Sequence, residues 1–226
     1  MTSEQWQAIF LSLQVAAIST VISLPFAIFA AWLLSKSQGI IRVGLDTIIN
    51  LPLVLPPVVT GYLLLVSFGR NGFPGKLLYQ TFGLEFVFDF KGAVLAASIV
   101  SFPLMVRAIR LAFDSVDQRL IQAARTLGKN PWSTFWRVTA PLSRRGLIAG
   151  GMLAFARSLG EFGATIMLAG NIAGETKTIP LFVYDQLQSP GGINNCWPVI
   201  VFSIVIAMMA LLISSRFESA PAEAVA

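Results

Sequence analysis

The sequence predicts an all-α integral membrane protein, and three observations support this prediction. Of the 226 residues, 55% are hydrophobic and 12% are charged, and the mean hydropathy is +0.74. Soluble domains carry about 25% charged residues, so a compact soluble core could not hide this much apolar surface. The apolar residues form long segments, and most of the basic residues lie between them. We therefore expect one bundle of five transmembrane helices, with six helices as the alternative.

The composition also excludes several kinds of chemistry. The chain has no histidine, which excludes imidazole acid–base catalysis and histidine-ligated metal sites. Its one cysteine, Cys196, cannot form an intrachain disulfide, and we expect it to be a small buried residue at a helix start. The net charge of +5 could suit nucleic acid. However, basic residues between apolar segments are typical of membrane topology, so no nucleic-acid partner is expected.

The apolar segments are long enough to cross a bilayer, for which about 20 apolar residues suffice. We expect a single transmembrane domain over residues 6–215 and a cytoplasmic tail over residues 216–226. The five predicted spans, in chain order, cover residues 9–34, 47–69, 92–112, 146–170 and 196–214. Two further stretches, 74–90 and 178–188, are too short or too polar to span. They are expected to be surface or re-entrant pieces, and the second could be a short amphipathic helix.

Lysine and arginine are distributed unequally between the two sides of these spans. Eleven lie on one side, eight of them between the third and fourth spans, and four lie on the other side. Cytoplasmic loops carry the excess of basic residues. We therefore expect the long loop over residues 114–142 and the C-terminus to be cytoplasmic. Five spans then place the N-terminus outside, which agrees with the acidic Glu4.

The second predicted span contains three prolines, Pro52, Pro56 and Pro57. Prolines remove backbone donors, and irregular backbone at membrane depth is tolerated only against protein or a water-filled cavity. Pro56, Pro57 and the nearby Thr60 are therefore candidate residues of a translocation pathway. Intramembrane prolines more often form kinks that pack against neighbouring helices, so a purely structural role stays open.

The fourth predicted span carries two charged residues, Arg157 and Glu161, four positions apart. Each alone would cost roughly 2.5–3.5 kcal/mol at a helix centre, so an ion pair is expected. The pair could fix packing or belong to a pathway or gate, and the packing role is favoured. Small residues also recur every four positions and favour close helix packing, namely Gly146, Gly150, Ala154 and Ser158.

The loop over residues 114–142 predicts two short helices that meet at Gly128. Ser115 or Asp117 can cap the first helix, and Gly128 can end it in the left-handed conformation. Asn130 and Pro131 are typical of the start of the second helix. Exposed apolar patches mark partner sites, but loops also fold back, so docking and packing stay open. The apolar residues concerned are Leu120, Leu127, Trp132, Phe135 and Trp136.

This loop resembles the EAA loop of ABC importer permeases, in which Glu-Ala-Ala is followed at fixed spacing by Gly and Leu-Pro. Ala123, Ala124, Gly128 and Pro141 are in register, whereas Gln122 stands in the place of the Glu. The resemblance implies a type I ABC importer permease bundle whose coupling helices dock onto a separate ATPase. The implied ATPase-coupling residues are Gln122, Ala123, Ala124, Gly128, Pro131, Trp132 and Pro141. The chain has no phosphate-binding P-loop, so we expect no catalysis by it and no cofactor bound to it, with ATP and Mg bound by the partner ATPase.

Four further segments resemble the permease subunits of molybdate ABC importers, namely residues 51–62, 155–165, 174–180 and 189–192. The resemblance implies a homodimer in the cell (inner or plasma) membrane, two cytoplasmic ATPase subunits and an extracytoplasmic molybdate-binding protein. Selectivity is then expected mainly in the binding protein, since the spans contain no cluster of Arg or Lys. Tungstate, sulfate and thiosulfate permeases of the same family are alternatives. A channel or a membrane scaffold without an ATPase is the alternative from another class.

Overall fold

The computed structural model describes residues 1–190 and 192–218, and these residues form helices without any β-strand. The all-α prediction is confirmed. Gly191 and residues 219–226 of the predicted tail lie outside the described residues. In chain order the helices are α1 (Ser3–Lys36), α2 (Gly39–Val54), α3 (Pro57–Phe68), α4 (Phe73–Phe82), α5 (Phe90–Asp114), α6 (Gln118–Thr126), α7 (Pro131–Thr134), α8 (Ala140–Leu142), α9 (Arg144–Leu159), α10 (Gly163–Leu168), α11 (Ile179–Leu187) and α12 (Ile193–Glu218). A π-helical segment, Phe135–Thr139, joins α7 to α8.

Three of the described helices are long and apolar enough to cross a membrane: α1, α5 and α12. They coincide with the first, third and fifth predicted spans. The second predicted span corresponds to α2 and α3, which pass the same test together but are bent by 109° at Leu55–Pro56. If this pair counts as one broken span, there are four, and the five-span topology stays a prediction.

The fourth predicted span is not a continuous helix. It is divided into α9 and α10 by a break over residues 160–162. The cause is local, because Glu161 lies in the break and its carboxylate accepts the N–H of Ala164 in the first turn of α10. A side chain that satisfies an N-terminal donor stabilises a new helix start.

The bundle is built around α5, which packs against α1 on one side and α9 on another. Ala27 and Ala31 of α1 are fully buried and lie in one cluster with Met105 and Ile109 of α5. A Cβ atom at Gly146 of α9 would collide with Ala112 of α5, and one at Gly150 would lie 3.1 Å from Ile109 Cγ1. The row of small residues on α9 is therefore a packing face, as predicted.

The stretch 178–188 forms the short helix α11, in which Ile179, Leu181 and Phe182 are buried, whereas Tyr184 and Leu187 are exposed. Ile179 and Phe182 lie in one cluster with Ile9 of α1 and Val199 of α12. The N–H of Ile179 also donates to Ser12 Oγ at 2.7 Å. The helix therefore has a buried and an exposed side, which agrees with the predicted short amphipathic helix, and its buried side meets protein.

The stretch 74–90 forms α4 and the linker to α5, at the opposite end of α5 from α6. Arg70, before α4, pairs with Glu85, after α4, at 2.9 Å. The hydrogen bond from Arg70 lowers the pKa of Glu85 below its ordinary value. The buried Cys196 lies in the first turn of α12, as predicted.

Candidate functional site

The first candidate site is the crossing of two broken spans, α2–α3 and α9–α10. Pro56 lies in the break with an extended backbone, and Pro57 is the first residue of α3. Proline disfavours the helical conformation of the residue before it but fits the first position of a new helix. The tandem prolines therefore stop α2 and start α3 in another direction.

Small residues let α3 and α10 touch through their backbones. A Cβ atom at Gly61 would lie 2.7 Å from Ala164 Cα, and one at Gly163 would lie 2.8 Å from Pro57 Cβ. Thr60 is buried in the same turn of α3. The structure thus brings Pro57, one of the candidate pathway residues, into direct contact with α10, with Pro56 and Thr60 in the adjoining break and turn. Whether the three residues line a pathway stays a prediction.

The predicted ion pair forms, although its two residues do not share one helix. Arg157 Nη1, in the last turn of α9, lies 2.9 Å from Glu161 Oε2, in the break. The other carboxylate oxygen of Glu161, Oε1, accepts the N–H of Ala164 at 2.9 Å. The Glu161 side chain is 3% exposed and that of Arg157 is 31% exposed. Glu161 therefore holds the two sides of the break together, and Ala164 links it to the α3–α10 crossing.

The second candidate site is the coupling segment, which we define as residues 114–142. Its two short helices, α6 and α7, meet at Gly128 as predicted, and Gly128 has a φ of +78°. Asp117 caps α6 by accepting the N–H of Arg119 at 2.8 Å. Asn130 caps α7 by accepting the N–H of Ser133 at 2.7 Å, with Pro131 at the first helical position.

Most of the residues proposed to contact an ATPase are exposed in this segment. Gln122, Ala123, Gly128, Pro131 and Pro141 are exposed, whereas Ala124 is half-buried. Five large apolar side chains are also at least half exposed, namely Leu120, Leu127, Trp132, Trp136 and Leu142. An apolar surface of this kind on a loop is typical of a protein contact site.

Phe135 differs from these five residues, because it is 4% exposed. Its ring lies 5.4 Å from that of Phe113 on α5 and 6.2 Å from that of Trp32 on α1. Phe135 therefore anchors the coupling segment to two helices of the bundle. The sequence grouped it with the exposed residues and did not indicate Trp32 or Phe113, since only the tertiary fold brings these three rings together.

Among the described residues, no group of histidine, cysteine, aspartate and glutamate side chains could hold a metal ion. Both candidate sites consist of helix breaks, packing contacts and one ion pair. An arrangement of this kind can position helices and partners.

Comparison with known proteins agrees with these features. Residues 23–217 match the family described as "Binding-protein-dependent transport system inner membrane component". "Molybdenum transport system permease protein ModB" of Escherichia coli (strain K12) is 55% identical over 214 residues, which cover 95% of this chain and 93% of that protein. The protein of the same name from Haemophilus influenzae is 55% identical over 207 residues, which cover 92% and 90% of the two chains.

A solved structure shows the same fold at low sequence identity. A chain of the bacterial alginate ABC transporter, in complex with an alginate pentasaccharide-bound periplasmic protein, superposes with a TM-score of 0.73 at 17% identity. The match covers 97% of this chain and 80% of that chain. The family match extends over most of the sequence and the fold agrees with it. This multi-pass membrane protein therefore belongs to the family of binding-protein-dependent transport system inner membrane components.

Proposed function

We propose that this chain is the permease subunit of an ABC importer for molybdate. It forms the translocation pathway and couples it to ATP hydrolysis by a separate subunit, and it catalyses no reaction itself. The assignment of molybdate as the substrate rests on the 55% identity, over 95% of the chain, to a permease named for molybdenum transport.

The proposed complex contains two copies of this chain, two cytoplasmic ATPase subunits and an extracytoplasmic molybdate-binding protein. The ATPase subunits bind ATP and Mg, and the binding protein delivers the oxyanion. ATP must favour one conformation of the complex over the other, because a ligand shifts an equilibrium only through differential affinity. The family, whose description names a dependence on binding proteins, supports this assembly.

The coupling segment is the proposed contact with the ATPase. The exposed Gln122, Ala123, Gly128, Pro131, Trp132 and Pro141 supply the contact surface, and the half-buried Ala124 lies beneath it. When the ATPase moves this surface, Phe135 transmits the movement to α1 and α5, because its ring contacts the rings of Trp32 and Phe113. The exposed apolar residues and the buried anchor on the same short segment support this role.

The broken helices α2–α3 and α9–α10 are the proposed pathway elements, with Pro56, Pro57 and Thr60 at their crossing. Arg157 and Glu161 have a packing role in this proposal. The support is that both carboxylate oxygens of Glu161 already have partners, Arg157 and the N–H of Ala164. In the proposed orientation, the coupling segment and the C-terminus are cytoplasmic and the N-terminus is outside.

Uptake into proteoliposomes tests the function. The permease, its ATPase and the molybdate-loaded binding protein are combined, and internal molybdate is measured with and without ATP. We expect ATP-dependent uptake that tungstate reduces strongly, because it has the same charge and shape, and that sulfate reduces weakly. Uptake that needs neither ATP nor the ATPase would indicate a channel instead. Equal competition by sulfate would indicate a broader oxyanion permease.

A further inference from the structure

Three arginines that are distant in sequence lie around one groove. Arg107 of α5 and Arg144 and Arg145 at the start of α9 line a groove of about 890 Å³, which the end of α12 also borders at Phe217. Most of the other residues that line the groove are apolar, Leu111 among them. The sequence did not indicate this cluster, because 36 residues separate Arg107 from Arg144.

The positive charge of this groove is not compensated within the described part of the chain. None of the three arginines forms an ion pair with a described side chain, and no carboxylate among the described side chains lines the groove. The nearby Arg110 differs, because it pairs with Asp46 at 3.2 Å and with Asp114 at 3.6 Å. A cleft lined by one sign of charge with apolar walls concentrates the electric field and attracts counter-ions.

The groove lies on the same faces of α5 and α9 that, further along each helix, lead to the α3–α10 crossing. Ala96 and Val100 of α5 pack in one cluster with Ala164 and Leu168 of α10. Arg107 follows Ala96 by 11 residues, about three helical turns, so it lies on the same face of α5. Likewise, Leu153 lines the groove on α9, and Arg157 follows it by one turn on that face.

Arg145, Arg107 and Arg157 lie at regular intervals along the axes of α5 and α9. Gly146 of α9 lies opposite Ala112 of α5, and Gly150 lies opposite Ala108, so the two helices run antiparallel in this register. Arg107 is then level with about residue 151 of α9. At 1.5 Å per residue, Arg145, Arg107 and Arg157 lie at depths roughly 9 Å apart.

We propose that Arg107, Arg144 and Arg145 form an oxyanion site on the cytoplasmic side of the translocation pathway. The site takes up the permeant tetrahedral dianion after it has passed the α3–α10 crossing, and this inference rests on the proposed function. A guanidinium group donates two parallel hydrogen bonds to an oxyanion, and three of them offset the charge that the dianion brings against apolar walls. All three arginines are exposed, so the dianion stays hydrated in part and is released to the cytoplasm.

Neutral variants test the site in the complete complex. Arg107→Gln and the double variant Arg144→Gln/Arg145→Gln are compared with Arg42→Gln, an exposed arginine on α2 outside the groove. We expect molybdate uptake per ATP hydrolysed to fall five- to tenfold in the groove variants and to stay within twofold in Arg42→Gln. If the wild-type complex takes up no molybdate, the proposed function is wrong. If it does and the groove variants match Arg42→Gln, only this site is wrong.

A phospholipid phosphate has the same tetrahedral oxyanion chemistry, and thiol labelling distinguishes it from the permeant. Leu111→Cys places a thiol in the groove, in a transport-active Cys196→Ser background. We expect an anionic methanethiosulfonate to react several-fold faster than a cationic one from the cytoplasmic side. Arg144→Gln/Arg145→Gln should abolish that preference, and molybdate should slow the reaction. A labelling rate that molybdate does not change, but that falls as the anionic phospholipid content of the liposomes rises, would assign the groove to lipid and overturn the proposal.

Discussion

Arg157 and Glu161 form a 2.9 Å ion pair next to the break between α9 and α10, and only Glu161 is fully buried. The guanidinium group keeps access to water, whereas the carboxylate depends on Arg157 and on the N–H of Ala164. The two residues of the pair are therefore not equivalent. Removing Arg157 leaves the buried carboxylate of Glu161 without its counter-ion. Removing Glu161 leaves the accessible charge of Arg157 and the backbone N–H of Ala164 without a partner.

The first prediction follows from this asymmetry. Arg157→Ala should destabilise the permease by roughly 3–5 kcal/mol, because it strands a buried carboxylate. Glu161→Ala should cost less, on the order of 1–3 kcal/mol, mainly for the unpaired N–H of Ala164. The double variant Arg157→Ala/Glu161→Gln has no charge and keeps an acceptor, so it should recover most of the stability. The midpoint of thermal unfolding in detergent measures this order.

Transport by the recovered double variant then separates the two roles of the pair. If the pair only fixes packing, the double variant transports molybdate once it folds. A folded but inactive double variant would instead place the pair in the pathway or gate. Equal losses in all three variants, without recovery, would show that the two side chains do not stabilise each other.

The second prediction concerns the close approach of α3 and α10. Gly61→Ala adds a Cβ atom 2.7 Å from Ala164 Cα and 2.8 Å from Met167 Cβ, so the two helices must separate. Overpacking of this kind costs about 1–3 kcal/mol. Gly44→Ala is the matched control, because a Cβ atom there meets no atom within 4 Å. Thermal unfolding should show a loss for Gly61→Ala alone, and an equal midpoint for both variants would contradict the crossing.

Local patterns determined how much of this structure could be predicted from the sequence. The two capped helices on either side of Gly128 were predictable, because Asp117 and Asn130 each lie within a few positions of the N–H group that they accept. The break at Glu161 was not, since a carboxylate in an apolar segment does not show which backbone donor it will meet. The groove around Arg107 was missed for a related reason, because only the antiparallel packing of α5 and α9 brings its arginines together.

The third prediction concerns orientation. A reporter fused after Asn130 should be cytoplasmic, and one fused after Lys76 should be external, because eleven basic residues lie on one predicted side and four on the other. Paired fusions to a periplasmic phosphatase and a cytoplasmic fluorescent protein measure both positions. The same location for the two reporters would exclude the five-span topology.

The fourth prediction separates the anchor of the coupling segment from its exposed surface. Phe135→Ala removes a buried ring that contacts Phe113 and Trp32, which should cost roughly 3–5 kcal/mol. Trp136→Ala removes a ring that is 53% exposed, so the bundle should remain stable. We expect Phe135→Ala to lower the unfolding midpoint, and Trp136→Ala to weaken ATPase binding at an unchanged midpoint. The reverse assignment would contradict the division between anchor and surface.

The last prediction concerns the backbone at Gly128. Its φ is +78°, and a Cβ atom there would meet no atom within 4 Å, so any effect of substitution arises from backbone strain rather than from a clash. Gly128→Val should cost at least 1–2 kcal/mol in this conformation, because β-branched residues are poorly tolerated there. The segment would relieve the strain by turning α7 relative to α6, which displaces Pro131 and Trp132 from the proposed contact surface.

Gly128→Asn is the matched control, because asparagine visits the left-handed region far more readily than valine. We expect about tenfold weaker ATPase binding for Gly128→Val and near-normal binding for Gly128→Asn, measured by titration of the purified permease with its ATPase. Gly128→Asn should unfold near the wild-type midpoint and Gly128→Val only a little below it, since the strain is confined to an exposed residue outside the buried clusters. Equal binding by the two variants would show that the left-handed turn does not orient the coupling helices.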